Sequence, residues 1–257
     1  MDPLIPLKNV SKDFVEIADH SVIALNNIDL QIFAGEIFVF VGPSGSGKST
    51  LLRIMSGLEK KYEGTVILHE GIGPENFSFV FQQFALLPWL TVSENIAIGL
   101  VARKMHPHKI KERVHKELHR FGLEKFGHVY PRELSGGMRQ RVGIARALAT
   151  DPRVIFMDEP FSELDSFTAE NMRKELLRIW ENPEWGEEKK HAQERPTIVM
   201  VTHIVEEALE LADRIAVLTP RPGKIEKIVK NDLARPRALR SQEFYTMEDE
   251  LYGLIKP

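Results

Sequence analysis

The sequence from residue 42 to residue 50 is Gly42-Pro43-Ser44-Gly45-Ser46-Gly47-Lys48-Ser49-Thr50. This stretch, the phosphate loop, fits the pattern G-x-x-x-x-G-K-[ST], in which backbone N–H groups surround phosphate. The apolar run Ile37–Val41 before it predicts a strand buried on both faces, and residues 51–55 after it predict a helix that ends at Gly57. Because Lys48 supplies a positive charge and the Ser49 hydroxyl can bind Mg²⁺, we interpret the stretch as a nucleotide site rather than a Gly/Ser-rich turn.

Composition bounds the kind of protein. The chain has 257 residues, enough for one large domain or two small ones with a buried core. Its net charge of -3 gives no support to a nucleic-acid binder, and the absence of cysteine excludes disulfides and cysteine-based metal sites. The first residues lack the basic and apolar regions of a signal peptide, and no apolar run has the length of a membrane helix. We therefore expect a soluble protein that meets a membrane only through a partner.

The order of sequence patterns predicts an α/β fold with an insertion. Besides the strand before the phosphate loop, strands are predicted at 22–25, 28–32, 64–68, 78–81, 154–157, 198–201 and 215–218. Helical stretches at 172–180 and 205–211 alternate with the later strands, which is typical of a parallel sheet covered by helices. A mostly helical block over about 84–149 interrupts this core, and 182–194 is predicted to be a surface loop.

Two helices are predicted inside the helical block. Thr91 and Glu94 fit a capping box at the start of the first, and Pro107 separates it from the second. The second has apolar residues at helical spacing up to Phe121, and its other side is rich in Lys, Arg and His, including Arg113. That side is either a solvated face, which the interspersed glutamates favour, or a contact for an acidic partner.

The strand predicted at 154–157 ends in two acids, Asp158 and Glu159. Parallel strands present their carboxyl ends at one edge of a sheet, where the ligand crevice lies, so we expect both acids beside the phosphate loop. Asp158 is suited to orient Mg²⁺, whereas Glu159 points the other way out of the strand and is placed to polarise an attacking water. The alternative is a strand end with two solvated acids.

A second anion cup is predicted at Ser135-Gly136-Gly137, where a helix begins. A hydroxyl, exposed amides and the helix dipole can bind an anion there, although Ser-Gly-Gly is also an ordinary helix cap. The phosphate loop, the run Leu134-Ser135-Gly136-Gly137-Met138 and the two acids, in this order, resemble the ATP-binding cassette ATPases. The second of these motifs is the diagnostic one, and the resemblance covers nearly the whole chain.

The resemblance implies a fold and an assembly. It implies an α/β fold, a P-loop NTPase (RecA-like) core with an antiparallel β subdomain and an inserted helical subdomain. The cassette domain is expected over 1–240 and a short C-terminal tail over 241–257. The implied cofactors are ATP and Mg²⁺. In this family two subunits pack head to tail, so that the second cup of each closes over the γ-phosphate held by the other.

Four further site residues are implied by their positions. Phe14 lies where an aromatic ring stacks on adenine, and Gln82 lies where a glutamine contacts Mg²⁺ and couples the site to the helical block. Asp165 belongs to a segment resembling the D-loop, and His203 lies where a histidine steadies the γ-phosphate. The alternatives are a core aromatic at Phe14 and an ordinary hydrogen-bonded histidine at His203. Two residues depart from the family's pattern, Glu163 in the D-loop segment and Ile204 after the histidine.

Two segments resemble those of bacterial importer ATPases. Residues 84–92 resemble the groove for the coupling helix of a membrane subunit, and residues 218–225 resemble the nitrate/sulfonate/taurine group. The first segment offers apolar side chains for docking, some of which can instead pack inside the helical block: Leu86, Leu87 and Trp89. The resemblance implies a second ATPase subunit, transmembrane permease subunits that dock near 82–92 and, indirectly, a solute-binding protein. The expected location is cytoplasmic, at the inner face of the cell membrane.

Three functions therefore stand as hypotheses. The first is an ATPase that dimerises on ATP and drives an importer of a small anionic or organic solute. The second is a soluble ATPase of the same family that acts on DNA or ribosomes, which the single cassette, the lack of a long heptad repeat and the mildly acidic charge disfavour. The third is a nucleotide-binding module without turnover, which the presence of Glu159 and His203 disfavours.

Overall fold

The strand before the phosphate loop lies inside the larger of two sheets. The computed structural model describes residues 2–15, 21–181 and 195–255. The order across the larger sheet, within these residues, is β5 (Phe77–Val80), β6 (Val154–Asp158), β7 (Thr197–Thr202), β3 (Ile37–Val41), β8 (Arg214–Leu218) and β9 (Ile225–Lys230). All the pairings are parallel except that of β9 with β8, which is antiparallel. The sequence analysis predicted the parallel strands but not the edge strand β9.

The strand β3 is buried on both faces, as its apolar run predicts. Val39 and Val41 pack into one hydrophobic cluster together with the helices of the inserted block. Phe38 and Phe40 pack into a second cluster on the other face, with side chains from the smaller sheet. Because β3, β6 and β7 run in parallel, their carboxyl ends open at the same edge of the sheet.

The smaller sheet is antiparallel, as predicted for the β subdomain. Its order in the described part of the chain is β2 (Ser21–Ile32), β1 (Ile5–Val15) and β4 (Glu63–Val66). The two short strands predicted at 22–25 and 28–32 are in fact one strand. Asn27 has a φ of 50° and the pairing with β1 shifts register nearby, so an irregularity replaces the predicted turn.

The helices, among described residues, are α1 (Lys48–Met55), α2 (Val92–Ala102), α3 (Pro107–Arg120), α4 (Gly136–Leu148), α5 (Ser166–Glu181), α6 (Val205–Leu211) and α7 (Gln242–Ile255). The predicted capping box is present at α2, since Glu94 N donates to Thr91 Oγ1 at 3.3 Å and Thr91 N donates to Glu94 Oε2 at 2.7 Å. Pro107 is the first residue of α3, where its missing N–H costs nothing. Of the basic residues of α3, Arg113 is buried rather than solvated, and it donates to the carbonyl of Leu148.

The C-terminal tail predicted over 241–257 contains the helix α7. Phe244 and Leu251 are buried in the same cluster as the helical block and one face of the larger sheet. None of the helices in the described ranges is both long enough and apolar enough to span a bilayer. The surface loop predicted at 182–194 lies outside the described residues.

Candidate functional site

Lys48 lies at the first position of α1 and turns back into the phosphate loop. Its Nζ donates to the carbonyl oxygens of Gly42 at 2.8 Å and Pro43 at 2.9 Å. Burial lowers the pKa of the Lys48 ammonium, and the nearby carboxylates of Glu159 and Asp158 act in the opposite direction. Acceptors of the phosphate loop itself therefore hold the Lys48 ammonium, which places a buried positive charge within the loop.

A cavity of about 200 Å³, the nucleotide cavity, opens over the phosphate loop. Its lining residues are Phe14, Ala24, Ser44, Gly45, Ser46, Gly47, Lys48, Ser49, Thr50, Glu159 and Arg221. Gly47 has a φ of 88°, and a Cβ there would lie 2.7 Å from Leu25 Cδ2 and 2.8 Å from the Ala24 carbonyl oxygen. The loop thus curls where only glycine fits, and its backbone amides can face an anion. This cradle, together with a buried lysine, fits the phosphates of ATP.

The hydroxyl and carboxylate predicted as magnesium ligands are in direct contact. Ser49 Oγ donates to Asp158 Oδ1 at 2.6 Å, and Asp158 is buried at the end of β6. The other oxygen of the carboxylate lies 3.7 Å from Arg53 Nη2, one turn further along α1. A hydroxyl and a carboxylate side by side are oxygen ligands of the kind that Mg²⁺ prefers, so the donor set fits the predicted ion.

Glu159 brings together the side chains at the ends of three strands. Its backbone N–H donates to the carbonyl of Val201 in β7 at 3.0 Å. Its Oε2 accepts from His203 Nδ1 at 3.1 Å and, more weakly, from Gln82 Nε2 at 3.5 Å. An ionised carboxylate only accepts hydrogen bonds, so the contact requires the proton of the imidazole on Nδ1. The structure thus gathers Glu159, His203 and Gln82 at the edge of the nucleotide cavity.

Phe14 lies in β1 of the smaller sheet and lines the nucleotide cavity. Its side chain is 42% exposed, and Lys12 Nζ lies 4.6 Å from the centre of the ring. A core aromatic would be covered by other side chains, so the exposed ring argues against the alternative role. Phe14 is thus a partly exposed aromatic ring at the cavity, and its stacking on adenine stays a prediction.

The second cup and Asp165 lie apart from this cavity, whose lining, as the described residues form it, includes none of them. Ser135 Oγ accepts from Met138 N at 3.3 Å and caps α4. A Cβ on Gly136 would lie 3.8 Å from the Glu163 carbonyl oxygen, and one on Gly137 would lie 2.7 Å from Thr168 Cγ2. The second cup thus adjoins the D-loop segment of its own chain, not its own phosphate loop.

Asp165 has a structural partner within the chain. Its Oδ1 accepts a hydrogen bond from Thr168 N at 3.0 Å, which is the geometry of a helix cap at the start of α5. This backbone hydrogen bond lowers the pKa of the Asp165 carboxyl. A contact between Asp165 and nucleotide stays a prediction.

Comparison with known proteins identifies the family. A family model described as ABC transporter matches residues 25–162, which is more than half of the chain. This chain belongs to the ABC transporter family. It is an ATP-binding ATPase of that family, as the resemblance implied.

Curated relatives of this ABC ATPase include importer components. An uncharacterized ABC transporter ATP-binding protein from Methanocaldococcus jannaschii is 42% identical over 97% of this chain and 90% of its own length. An aliphatic sulfonates import ATP-binding protein from Bacillus cereus is 40% identical over 93% of this chain and 91% of its own. A sulfate/thiosulfate import ATP-binding protein from Synechocystis is 45% identical over 86% of this chain but 59% of its own length.

Solved structures confirm the cassette fold. A dimeric structure of an ATP-binding cassette in a post-hydrolysis state, bound to ADP and Pi, is similar to this chain with a TM-score of 0.73 and 35% identity. The similarity covers 88% of this chain and 98% of the other. The predicted fold, a P-loop NTPase core with an antiparallel sheet and helices, is therefore confirmed.

The segment between Gln82 and α2 in this ABC ATPase is held by α4, the helix that begins at the second cup. Phe84 and Ala85 have φ values of 58° and 45°. Arg146 of α4 donates to both of their carbonyl oxygens, at 2.9 Å and 2.6 Å. Further along the segment, Leu86 is partly buried against the core, whereas Trp89 is 69% exposed. Of the apolar residues predicted for docking, Trp89 is thus the most exposed.

Two residues of the nucleotide cavity were not predicted from the sequence. Ala24 comes from β2 and Arg221 from the turn between β8 and β9. Neither carries a local motif that indicates phosphate binding. The pairing of β8 with β3 brings Arg221 to the phosphate loop. The sequence patterns predict both strands but do not predict that they are neighbours in the sheet.

Proposed function

We propose that this chain is the ATP-hydrolysing subunit of a membrane importer and that it works as a dimer formed on ATP. The observation that carries the proposal is the cluster of Glu159, His203 and Gln82 beside the phosphate cradle. A carboxylate with a hydrogen-bonding histidine next to a bound triphosphate suits hydrolysis better than binding alone. The hypothesis of a module without turnover does not account for this cluster.

Each residue of the site has a role in this proposal. The amides of the phosphate loop and Lys48 bind the β- and γ-phosphates, and Phe14 stacks on the adenine. The carboxylate of Glu159 accepts a hydrogen bond from the attacking water and takes its proton as the phosphoryl group transfers. His203 holds Glu159 in the free protein, and we expect the imidazole to contact the γ-phosphate when ATP is bound.

Mg²⁺ is the ion that Ser49, Asp158 and Gln82 would hold. When bound, it would offset the negative charge on the phosphates. Without the ion, the hydroxyl of Ser49 donates to the carboxylate of Asp158. This hydrogen bond keeps Ser49 Oγ and Asp158 Oδ1 together next to the phosphate loop.

Dimer formation follows from the separation of the second cup from the nucleotide cavity of the same chain. The start of α4 can bind an anion through Ser135, Gly136 and Gly137. These residues do not line the nucleotide cavity of their own chain, as its described residues form it. A head-to-tail dimer would give each nucleotide a phosphate loop from one chain and a second cup from the other. The dimeric form of the similar cassette bound to ADP and Pi supports this arrangement.

Transport is the process that the ATPase would drive. The named relatives are import ATP-binding proteins for aliphatic sulfonates and for sulfate/thiosulfate, which supports an importer of a small oxyanion or organic acid anion. Permease subunits would dock on the segment 82–92, with Trp89 as an exposed contact, and a solute-binding protein would act through them. The chain would then work at the cytoplasmic face of the cell membrane.

Nucleotide titration tests the site. In calorimetry, wild-type protein should bind ATP, and Lys48→Ala should weaken binding by at least about tenfold because the buried charge is lost. Lys224→Ala, on an exposed side chain, is the matched control and should bind as wild type does. Equal ATP affinity in wild type and Lys48→Ala would contradict the proposed nucleotide site.

Purification from native membranes tests the transport role. We expect the tagged chain to co-purify with a polytopic membrane protein, identified by mass spectrometry. Co-purification with DNA or ribosomes in its place would favour the alternative hypothesis of a soluble ATPase.

A further inference from the structure

The turn between β8 and β9 carries a cation that the site described so far does not use. Arg221 lines the nucleotide cavity together with the phosphate loop and Glu159. Its Nη2 lies 3.9 Å from where a Cβ on Gly45 would be, so the guanidinium is next to the tip of the phosphate loop. Arg221 is exposed, and no hydrogen bond or ion pair joins its side chain to another residue in the described ranges.

The backbone of this turn is fixed against the phosphate loop. Gly223 N donates to the Ala24 carbonyl oxygen at 3.0 Å, and Asn26 N donates to the Gly223 carbonyl oxygen at 3.0 Å, so the turn is pinned to β2. A Cβ on Gly223 would lie 2.0 Å from the carbonyl oxygen of Ser46, which leaves room for glycine alone. The turn that carries Arg221 is therefore fixed beside the phosphate loop by the main-chain contacts of Gly223.

The base of the turn is closed as well. Thr219 N donates to the Lys224 carbonyl oxygen at 3.0 Å, and Lys224 N donates to Thr219 Oγ1 at 3.0 Å. The Thr219 hydroxyl donates in turn to the Pro222 carbonyl oxygen at 3.1 Å. A side chain on so well-connected a turn loses little backbone freedom when it binds a ligand.

The charge at the cavity favours a further cation. A bound ATP carries several negative charges and the carboxylate of Glu159 in the lining adds one more. Besides Arg221, the cations are Lys48 in the lining, as the described residues form it, and the Mg²⁺ that Ser49, Asp158 and Gln82 would hold. A guanidinium matches phosphate because its planar set of N–H groups can donate two parallel hydrogen bonds. The absence of an acidic partner within the described part of the chain leaves those donors available.

We propose that Arg221 is a nucleotide-binding residue, which donates hydrogen bonds to the phosphate oxygens of ATP held in the cavity. The proposal rests on the proposed function, because it needs ATP in this site. It also gives the turn at 219–224 a role, which is to bring an arginine to the phosphate loop. The two segments are about 175 residues apart in the sequence, and the parallel pairing of β3 with β8 brings them together.

Calorimetric titration with ATP and with ADP tests the proposal in four proteins. Arg221→Gln should raise the Kd for both nucleotides about tenfold, because it removes the charge and the guanidinium fork. Arg221→Lys keeps the charge and should lose less, about threefold. Lys224→Ala, which removes a cation from the same turn but not from the cavity lining, should bind as wild type does.

Thermal unfolding without nucleotide separates binding from support of the fold. Arg221 is exposed, and its side chain has no hydrogen bond or ion pair within the described structure. Its replacement should therefore leave the stability of the fold intact, and Arg221→Gln should unfold at the wild-type Tm. If Lys48→Ala lowers the affinity for ATP but Arg221→Gln binds ATP with the wild-type Kd, this proposal is overturned and the nucleotide site is retained. Loss of affinity in Lys224→Ala equal to that in Arg221→Gln would also overturn it. Equal affinities in wild type and Lys48→Ala would instead contradict the proposed function itself.

Discussion

The backbone of Glu159 has a φ of 44°, a conformation that non-glycine residues rarely adopt. Pro160 follows Glu159 in the chain. The backbone N–H of Glu159 donates to the carbonyl oxygen of Val201 in the neighbouring strand. The sheet thus holds the residue in a left-handed conformation that takes its side chain to His203 and the nucleotide cavity, whereas Asp158 continues β6 and contacts Ser49. Strain of this kind is typical of functional sites.

Glu159→Gln should remove hydrolysis but keep nucleotide binding. The amide has the same shape as the carboxylate but cannot take a proton from water, so we expect kcat to fall at least about a hundredfold. Phosphate release measures kcat, and calorimetry measures ATP affinity, which should change little. Glu226→Gln, an exposed acid on β9, is the matched control. Hydrolysis near the wild-type rate in Glu159→Gln would show that another group activates the water.

Most of the site was predictable at the residue scale because its motifs are local. The phosphate loop lies within nine consecutive residues, and the two acids directly follow a buried strand. Phe14 and His203 required the family resemblance, since one aromatic or one histidine alone indicates no role. Arg221 could not be predicted as a cavity residue, because its place depends on strand pairing and on the contact of Gly223 with Ser46.

At the scale of elements, α4 connects two parts of the molecule. It begins at the second cup, and about three turns later Arg146 donates to the carbonyls of Phe84 and Ala85. Burial lowers the pKa of the Arg146 guanidinium, which stays charged at neutral pH. The helix thereby fixes the segment that follows Gln82 and leads to the proposed docking surface.

Arg146→Ala should therefore destabilise this segment. The loss of two charged hydrogen bonds leaves two carbonyl groups without their donor, and we expect the free energy of unfolding to fall by about 1–3 kcal/mol. Arg146→Lys should lose part of this, because an ammonium does not reproduce the fork. Urea denaturation measures both. Arg141→Ala on the same helix, whose side chain has no hydrogen bond within the described residues, is the control. If Arg146→Ala proves as stable as Arg141→Ala, the guanidinium does not hold the segment.

The start of α5 should depend on pH through Asp165. The Thr168 N–H stabilises its carboxylate and lowers its pKa in the folded protein, so this contribution is present above the unfolded pKa and is lost as pH falls through the folded pKa. Asp165→Asn keeps a cap without the charge. The difference in Tm between wild type and Asp165→Asn should favour wild type at pH 7 and shrink below about pH 4. A difference that stays constant over this range would show that the cap does not depend on ionisation.

Elements were predictable where the sequence pattern reports burial. The run Ile37–Val41 matches β3, and residues 205–211 match α6, because continuous apolar runs and helical spacing are strong local signals. The strand β9 was missed because Ile225–Lys230 lies at the edge of the sheet and is mostly exposed or half-buried. β2 was divided in two because Asn26 and Asn27 are typical turn residues, whereas pairing with β1 carries the strand through them.

At the scale of the whole molecule, the nucleotide cavity and the second cup of one chain are formed by different residues, and we propose that each is half of a composite site. The nucleotide cavity holds the phosphate loop and Glu159, and the second cup lies beside the D-loop segment of the same chain, where Gly136 adjoins Glu163. Glu163, which departs from the family's pattern, would lie near the joint of a head-to-tail pair. ATP would shift the population from single chains or open pairs to closed pairs, and hydrolysis would reverse the shift.

The mass of Glu159→Gln in solution tests this composite site most directly. Sedimentation equilibrium with saturating ATP and Mg²⁺ should give twice the 29.3 kDa of one chain, and the same protein with ADP should give the mass of one chain. Adding Ser135→Leu to this variant should abolish pairing but leave ATP binding in place, because it damages only the half-site offered to the partner. A mass of one chain for Glu159→Gln, at an ATP concentration where calorimetry shows the site to be filled, would contradict the account.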